Sequence, residues 1–156
     1  MTARWHEFAT DAPEMATMIK AEFEAKKHHV LATLAGDGSP RVHGVEVQFV
    51  AAELTVGMMF ASAKARQLQH DGRFALHANP GDDMGSGDAK IVGIAEEVTD
   101  QVALEEYIAA VHPPPPFHMF RLRLREVVHT ALHPNGDRLI ISVWRPGAGV
   151  SVIERA

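Results

Sequence analysis

The chain has 156 residues, of which 46% are hydrophobic and 22% charged, and its formal net charge at pH 7 is −5. These values are typical of one folded domain with its own core, here residues 1–156, and they exclude a chain that is disordered throughout. The sequence contains no cysteine, which excludes disulfides and thiolate catalysis and fits a reducing, cytoplasmic compartment.

Two classes of partner are disfavoured by the distribution of charged and apolar residues. Lysine and arginine are scattered and are outnumbered by acidic residues, 15 to 20, whereas a nucleic-acid binder usually presents a basic face. No apolar run approaches the roughly 20 residues needed to span a bilayer, and the first residues lack the pattern of a secretion signal. We therefore expect neither nucleic acid nor a membrane as partner.

The first half of the chain alternates helical and strand-like patterns. Asp11, Pro13 and Glu14 are typical of a helix start, and the apolar residues after them recur with helical spacing. Glycine- and proline-containing GDGSP predicts a hairpin turn between the first two strands. The predicted elements are a helix over about 13–27, strands over 29–35, 42–50 and 54–60, and a short helix over 63–70 that Ser62 can cap.

The second half reads mainly as strands. The segment 79–88 is a loop by composition, Pro113–Pro116 predicts a stiff polyproline connector, and the residues after Arg145 are interpreted as a short tail. The predicted elements are strands over 73–78 and 89–98, a helix from Thr99 or Asp100 to about 110, and strands over 120–132 and 139–144. Six or seven strands joined mostly by hairpins predict a mainly β fold, an antiparallel barrel or sandwich with peripheral helices.

The short helix after Ser62 has two interpretations. A helix N-terminus with a nearby ammonium stabilises a phosphate, and Lys64 and Gln67 share one helix face. By the other interpretation, 63–70 is an ordinary surface helix between two strands. The strand 42–50 also has two interpretations. Gly44 would let a flat ring approach the backbone, or the strand is simply half exposed, with its polar residues in water.

Histidine is frequent, with 10 residues, but the pattern predicts no metal site. His28 and His29 point to opposite faces of a strand, and no acidic residue joins any histidine pair at ligand spacing.

Taken in order, HHVLATLAGDGSP, RVHGVEVQF, MMFASAKARQLQHDGRFAL and GDRLIISVWRPG resemble the FMN-binding split-barrel proteins related to pyridoxamine 5′-phosphate oxidase. The resemblance implies a six- to seven-stranded split barrel that forms a homodimer and holds the flavin in a groove between protomers. It implies that Ser62 and Lys64 meet the cofactor phosphate, with Gln67 beside it. It also implies a set of further cofactor contacts: His43, Gly44, Val45 and Glu46 under the ring, Met59 and Phe60 beside the ribityl chain, and Trp144 and Arg145 reaching the partner's cofactor.

Two departures from the oxidase limit what the resemblance implies. The oxidase has an Arg-Lys pair at the helix start where this chain has Ala63-Lys64, so Arg66 or another arginine would have to replace the missing cation. The oxidase's C-terminal substrate segment has no counterpart here, so pyridoxamine phosphate oxidation is not inferred.

The function implied is flavin-dependent oxidoreduction of a small organic substrate, with hydride transfer at the flavin N5 atom and no named acid or base. A deazaflavin (coenzyme F420)-dependent reductase is the second enzyme that fits. Arg121, Arg123 and Arg125, one face of a predicted strand, would then bind that coenzyme's polyglutamate tail; otherwise they form a solvated or edge-protecting face. Two hypotheses without catalysis stay open as well: a flavin store or sensor, and a dimer whose groove holds no ligand.

Overall fold

A computed structural model describes residues 1–156 and shows four helices and nine strands. The helices are α1 (Trp5–Asp11), α2 (Pro13–Ala25), α3 (Ala63–His70) and α4 (Gln101–Val111). The strands are β1 (His29–Leu34), β2 (Pro40–Val45), β3 (Val47–Val50), β4 (Glu53–Met59), β5 (Arg73–His77), β6 (Asp88–Glu97), β7 (Phe117–Leu132), β8 (Leu139–Arg145) and β9 (Gly149–Arg155).

All nine strands belong to one antiparallel sheet whose main path runs β2-β1-β5-β6-β7-β4-β3. The two end strands of this path are consecutive in the chain, since β2 ends at Val45 and β3 begins at Val47. The sheet therefore curls until its ends meet at Glu46, but β2 and β3 do not pair with each other. A curled antiparallel sheet that stays unclosed is a split barrel, so the predicted mainly β fold class is confirmed.

The strand count exceeds the predicted six or seven for two local reasons. Glu46 interrupts the expected strand over 42–50 and divides it into β2 and β3. The expected tail after Arg145 instead turns back and pairs with β8 as β9. Gly147 and Gly149 have φ values of 76° and 69°, so these glycines make the hairpin turn rather than ending the sheet.

The helix α1 was not predicted from the sequence, because only two of its residues carry the apolar signal. Trp5 and Phe8, three apart, lie on one helix face, and both are buried. Their rings pack edge-on at a centroid distance of 5.2 Å. Seven residues are too few to form a helix alone, so α1 depends on this contact with the core.

The arginines of β7 do not form a continuous cationic face. The β6–β7 register shifts between Val92 and Gly93, and Arg125 is the extra residue that results. Arg121 lies 3.9 Å from the buried carboxylate of Glu53. Arg123 lies 3.6 Å from Glu96. Two of the three guanidinium groups face carboxylates of this chain, and this arrangement argues against the interpretation of the stripe as a binding surface for an extended anion.

The side chain of His29 ties α2, β1 and the loop after β5 together inside the fold. Its Nε2–H donates to the Phe23 carbonyl at 2.8 Å, and its Nδ1 accepts from the Asn79 amide at 2.9 Å. Both ring nitrogens are thus satisfied in the neutral form. Burial, which outweighs the hydrogen bond to Phe23, lowers the pKa of His29 below 6.5.

This lowered pKa predicts that the protein loses stability on mild acidification. Above pH 6.5 His29 is neutral in both the folded and the unfolded state. Between pH 6.5 and the lowered pKa of the folded state, only the unfolded chain binds the proton, so the free energy of unfolding falls across this range. Urea denaturation at several pH values should show the loss, and the His29→Gln variant should show a flatter dependence. A His29 ring that titrates at or above pH 6.5 by NMR would contradict this prediction.

Candidate functional site

The helix α3 begins with a capped N-terminus, as predicted. The Ser62 hydroxyl accepts a hydrogen bond from the Ala65 amide at 3.3 Å. Ala65 and Leu68 are buried and fix the inner face of the helix. The amide groups of Ala63 and Lys64 have no partner within the helix and point out of its N-terminal end. This end therefore offers free donors and a partial positive charge.

Two side chains of α3 hold the helix against β1 and β2. The Gln67 Oε1 atom accepts from the Thr33 hydroxyl at 2.6 Å and from His43 Nε2 at 3.1 Å. The Lys64 Nζ atom donates to the Gly44 carbonyl at 3.3 Å. The residues predicted from two separate segments, β2 and α3, thus lie together, with the ammonium of Lys64 directly beside the end of β2.

A groove of about 410 Å³ lies beside Lys64. Its size falls within the range of small-molecule sites. Several residues predicted from the sequence line it: Gly44, Val45, Glu46, Met59 and Lys64. His43 and Gln67 lie behind Lys64, at the contact between α3 and β2. Phe60 and Ser62 belong to the connection between β4 and α3.

The opposite wall of the groove was not predicted. It comes from the end of α4 and the proline connector: Tyr107, Val111, His112, Pro113, Pro114 and Phe117. His112 ends α4 in the left-handed conformation, with φ 52°, and turns the chain into the prolines. One signal in the sequence could have predicted this wall. A proline run directly after a helix forms a stiff segment, and such a segment has to follow the surface of the sheet.

Tyr107, the single tyrosine of the chain, fixes this wall to the barrel. Its hydroxyl donates to Gln48 Oε1 at 3.2 Å. A Cβ atom on Gly57 would lie 2.1 Å from that hydroxyl, so the close contact between α4 and β4 requires glycine at this position. Burial raises the pKa of Tyr107 to about 12, and the phenol therefore stays protonated at neutral pH.

Glu46 places a carboxylate at the groove where the two ends of the sheet meet. It lies 3.6 Å from Lys27 Nζ and 3.5 Å from His28 Nε2. Because all three side chains are largely exposed, these contacts contribute little to stability. They leave a mixed charge at the groove, with Glu46 and Lys64 both in its lining.

The outer surface of the barrel carries an apolar area next to the groove, interrupted by the charged residues Lys90 and Glu126. Alternate residues of paired strands point to the same side, and this side carries small apolar residues together with Lys90, opposite Val128, and Glu126, opposite Val92. We call this surface the apolar outer face; it consists of Val30, Ala32, Val42, Ala75, Val92, Val128 and Val143. Val42 is 72% exposed and Val30 42%, which is unusual for valines in a sheet.

Comparison with solved structures gives matches over most of the chain. A pyridoxamine 5′-phosphate oxidase-related, FMN-binding protein from Nostoc punctiforme matches with a TM-score of 0.65 and 14% identity, over 93% of this chain and 96% of that one. PhzG from Burkholderia lata, solved with tetrahydrophenazine-1-carboxylic acid, matches with a TM-score of 0.60 and 18% identity, over 92% and 88%. A heme-binding protein from Mycobacterium smegmatis matches with a TM-score of 0.57 and 16% identity, over 88% and 86%.

The chain has the pyridoxamine 5′-phosphate oxidase-like split-barrel fold. No family model matches its sequence, and no curated protein is significantly similar to it. The matching structures include proteins described by different ligands, so the ligand has to be argued from the residues of this split barrel.

The position of Trp144 differs from the one that the resemblance implies. Its side chain is 2% exposed and lies in the core, where its ring packs on Phe8 at a centroid distance of 4.7 Å. Its indole Nε1–H donates to Asp11 Oδ2 at 2.7 Å. The docking of α1 covers the indole, which argues against the predicted reach of Trp144 to a partner's cofactor. The neighbouring Arg145 pairs with Glu126 at 2.5 Å.

Arg66 does not supply the missing second cation. It is exposed and lies two positions after Lys64, and residues two apart point to nearly opposite sides of a helix. Lys64 is therefore the only cation that this face of α3 provides.

The structure contains neither a metal-binding cluster nor a helix that could cross a membrane. No group of three or more histidine, aspartate and glutamate side chains is arranged to hold a metal ion. None of the four helices combines the length and the apolar content that a bilayer crossing requires.

Proposed function

We propose that this split barrel is a homodimeric FMN-binding oxidoreductase that acts on a small organic substrate. The phosphate of FMN binds at the start of α3, and the ring lies along His43–Glu46 in the groove. The observation that carries the proposal is the position of Lys64, whose ammonium lies 3.3 Å from the Gly44 carbonyl and lines a groove of about 410 Å³.

The residues at the start of α3 fit a phosphate. The free amides of Ala63 and Lys64, the Ser62 hydroxyl and the Lys64 ammonium are all donors, and a phosphate offers only acceptors at neutral pH. An anion at a helix N-terminus is also favoured by the helix dipole. The same donors have no comparable use for an uncharged ligand.

The end of β2 fits a flat ring. A Cβ atom built on Gly44 would have no atom within 4 Å, so the space above this backbone is open. Val45, Met58 and Met59 supply apolar and polarisable contacts along the groove. Met59 and Phe60, 78% and 60% exposed, lie between the ring position and the phosphate position and are available to the ribityl chain.

The apolar outer face supports the proposed homodimer. Exposed valine and alanine side chains on a sheet are stabilised when they are covered, and a second copy offers the same face, including Lys90 and Glu126 as residues of opposite charge. The face borders the groove because Val42, which belongs to the face, and Gly44, which lines the groove, lie on the same side of β2. Dimerisation there would close the groove against water from the side that the protomer leaves open.

When bound, FMN would supply hydride transfer at its N5 atom. The chain's own residues bind and orient the cofactor. Tyr107 and the proline connector bound the substrate space with a rigid wall. The cytoplasmic location stays a prediction from the absence of cysteine.

An absorbance spectrum of the purified protein, an FMN titration and a solution mass by light scattering test the proposal together. The expected result is a dimer that binds FMN at micromolar or lower concentration. A monomer that binds neither FMN nor deazaflavin at millimolar concentration would overturn it.

The second candidate is a deazaflavin-dependent reductase. The observation in its favour is that Lys64 is the single cation at the helix start, where the oxidase has two. A colourless protein that binds the deazaflavin coenzyme and not FMN would establish this candidate. A protein that binds FMN but shows no turnover with nicotinamide donors and electron acceptors would instead be a flavin store or sensor.

A further inference from the structure

We propose that His118 is a positioning residue that holds the turn before α3 in the shape that presents the phosphate-binding amides. This inference rests on the proposed function, because it concerns the same phosphate position. His118 lies at the start of β7, outside the groove lining, and its side chain is 13% exposed. The sequence alone assigned His118 no role beyond its position shortly after the proline run.

The imidazole of His118 contacts the turn in two ways. Its Nε2 atom accepts a hydrogen bond from the Ala61 amide at 3.2 Å. Its ring lies nearly parallel to the ring of Phe60, with an interplanar angle of 12° and a centroid distance of 5.1 Å. Both residues immediately precede the helix cap Ser62, so His118 contacts the segment that sets the direction in which α3 begins.

The turn needs such support because Ala61 has a φ of 57°. A residue with a Cβ atom pays about 1 kcal/mol or more in this left-handed region, and it stays there only where the surroundings enforce it. The amide of Ala61 is the group that His118 binds. The imidazole therefore stabilises the left-handed conformation of Ala61 directly, through the amide of that residue.

Glu97 fixes the imidazole in the form that can accept this hydrogen bond. The His118 Nδ1–H donates to Glu97 Oε1 at 2.6 Å, which leaves the lone pair on Nε2 for the Ala61 amide. The other carboxylate oxygen of Glu97 accepts from Gln69 Nε2 of α3 at 2.8 Å. Glu97 thus connects the imidazole to α3 itself, through a residue in the second half of the helix.

Two opposed attachments therefore locate α3. Thr33, His43 and Gln67 hold it to β1 and β2, while His118 and Glu97 hold its start and its outer side to β6 and β7. A site whose donors are fixed before the ligand arrives binds more tightly, because less ordering is required on binding. Loosening the His118 contact should reduce the affinity for the phosphate and leave the affinity for the ring unchanged.

The variants His118→Gln and His118→Asn separate this role from a general effect on the fold. The glutamine amide reaches the position of Nε2 and can accept from Ala61, whereas the shorter asparagine amide matches Nδ1 and keeps only the contact with Glu97. We expect His118→Asn to weaken FMN binding about five- to tenfold, as for one lost hydrogen bond, and His118→Gln to stay within about twofold of the unchanged protein. Riboflavin, which lacks the phosphate, should bind His118→Asn and His118→Gln equally, because both variants lose the same ring contact with Phe60.

Hydrogen exchange of the Ala61 amide in the ligand-free proteins gives a second readout. Exchange should be faster in His118→Asn than in the unchanged protein, and slow again in His118→Gln. Equal behaviour of the two variants in both measurements, or equal losses for FMN and riboflavin, would overturn the positioning role. Failure of the unchanged protein to bind FMN would overturn the proposed function itself, and it would be visible before any variant is compared.

Discussion

Replacing Lys64 by alanine is expected to weaken FMN binding by about 10- to 100-fold, because a hydrogen bond to a charged group typically contributes about 1.5–3 kcal/mol. The ammonium of Lys64 already lies at the groove, 3.3 Å from the Gly44 carbonyl, and it is the only cation on this face of α3. Titration of the variant with FMN and with riboflavin measures the effect. Riboflavin affinity should change far less, since the loss is confined to the phosphate.

The variant Arg66→Ala is the matched control for Lys64→Ala. It removes the same charge from the same helix, two positions later, where the side chain is exposed and points away from the groove. FMN affinity should stay within about twofold of the original, because exposed charges at this distance are screened by salt. Equal losses from the two variants would mean that net charge attracts the cofactor, and no loss from either would exclude Lys64 from the site.

Replacing Trp144 by alanine is expected to lower the free energy of unfolding by about 3–5 kcal/mol, as for other large core side chains. The indole is 2% exposed, packs on Phe8 and donates to Asp11, so its removal leaves a cavity under α1. Urea denaturation followed by circular dichroism measures the loss. A loss of this size is expected for a core residue, whereas an exposed cofactor contact, as the resemblance implied, would leave the stability of the ligand-free protein nearly unchanged.

The variant Trp144→Phe keeps a buried aromatic ring and removes the donor to Asp11 together with part of the indole. The expected loss of stability is about 2 kcal/mol, less than for Trp144→Ala, and FMN affinity should be unchanged. If this variant folds stably but loses FMN binding, the indole has a role at the cofactor that its burial argues against.

The parts of the fold that could be predicted from the sequence have local causes. Ser62 caps α3 because its hydroxyl reaches an amide three residues later, and this depends on no distant contact. The alternation of Phe120, Leu122 and Leu124 with arginines predicted one buried face of β7, and all three apolar residues are buried. The Asn135-Gly136 turn connects β7 to β8 as its composition indicates.

The parts that could not be predicted depend on distant partners. Helix α1 forms because Trp5 and Phe8 meet rings from other segments, including Phe49 and Trp144. Strand β9 exists because β8 offers it a free edge, although Gly147 before it and Gly149 at its start are residues that usually end a strand. The arginine stripe is divided by a bulge whose position depends on the contact between Gly93 and β7: a Cβ there would lie 1.8 Å from the Arg123 carbonyl.

The same division holds for the candidate site. The sequence by itself determined the capped helix start, the position of Lys64 on it and the strand that contains Gly44, because caps and periodicity act within a few residues. Only the tertiary structure brought Lys64 to Gly44, added the wall formed by Tyr107 and the prolines, buried Trp144 and placed His118 under the turn. Those placements depend on how nine strands curl into one split barrel, and that curvature comes from packing between residues far apart in the chain.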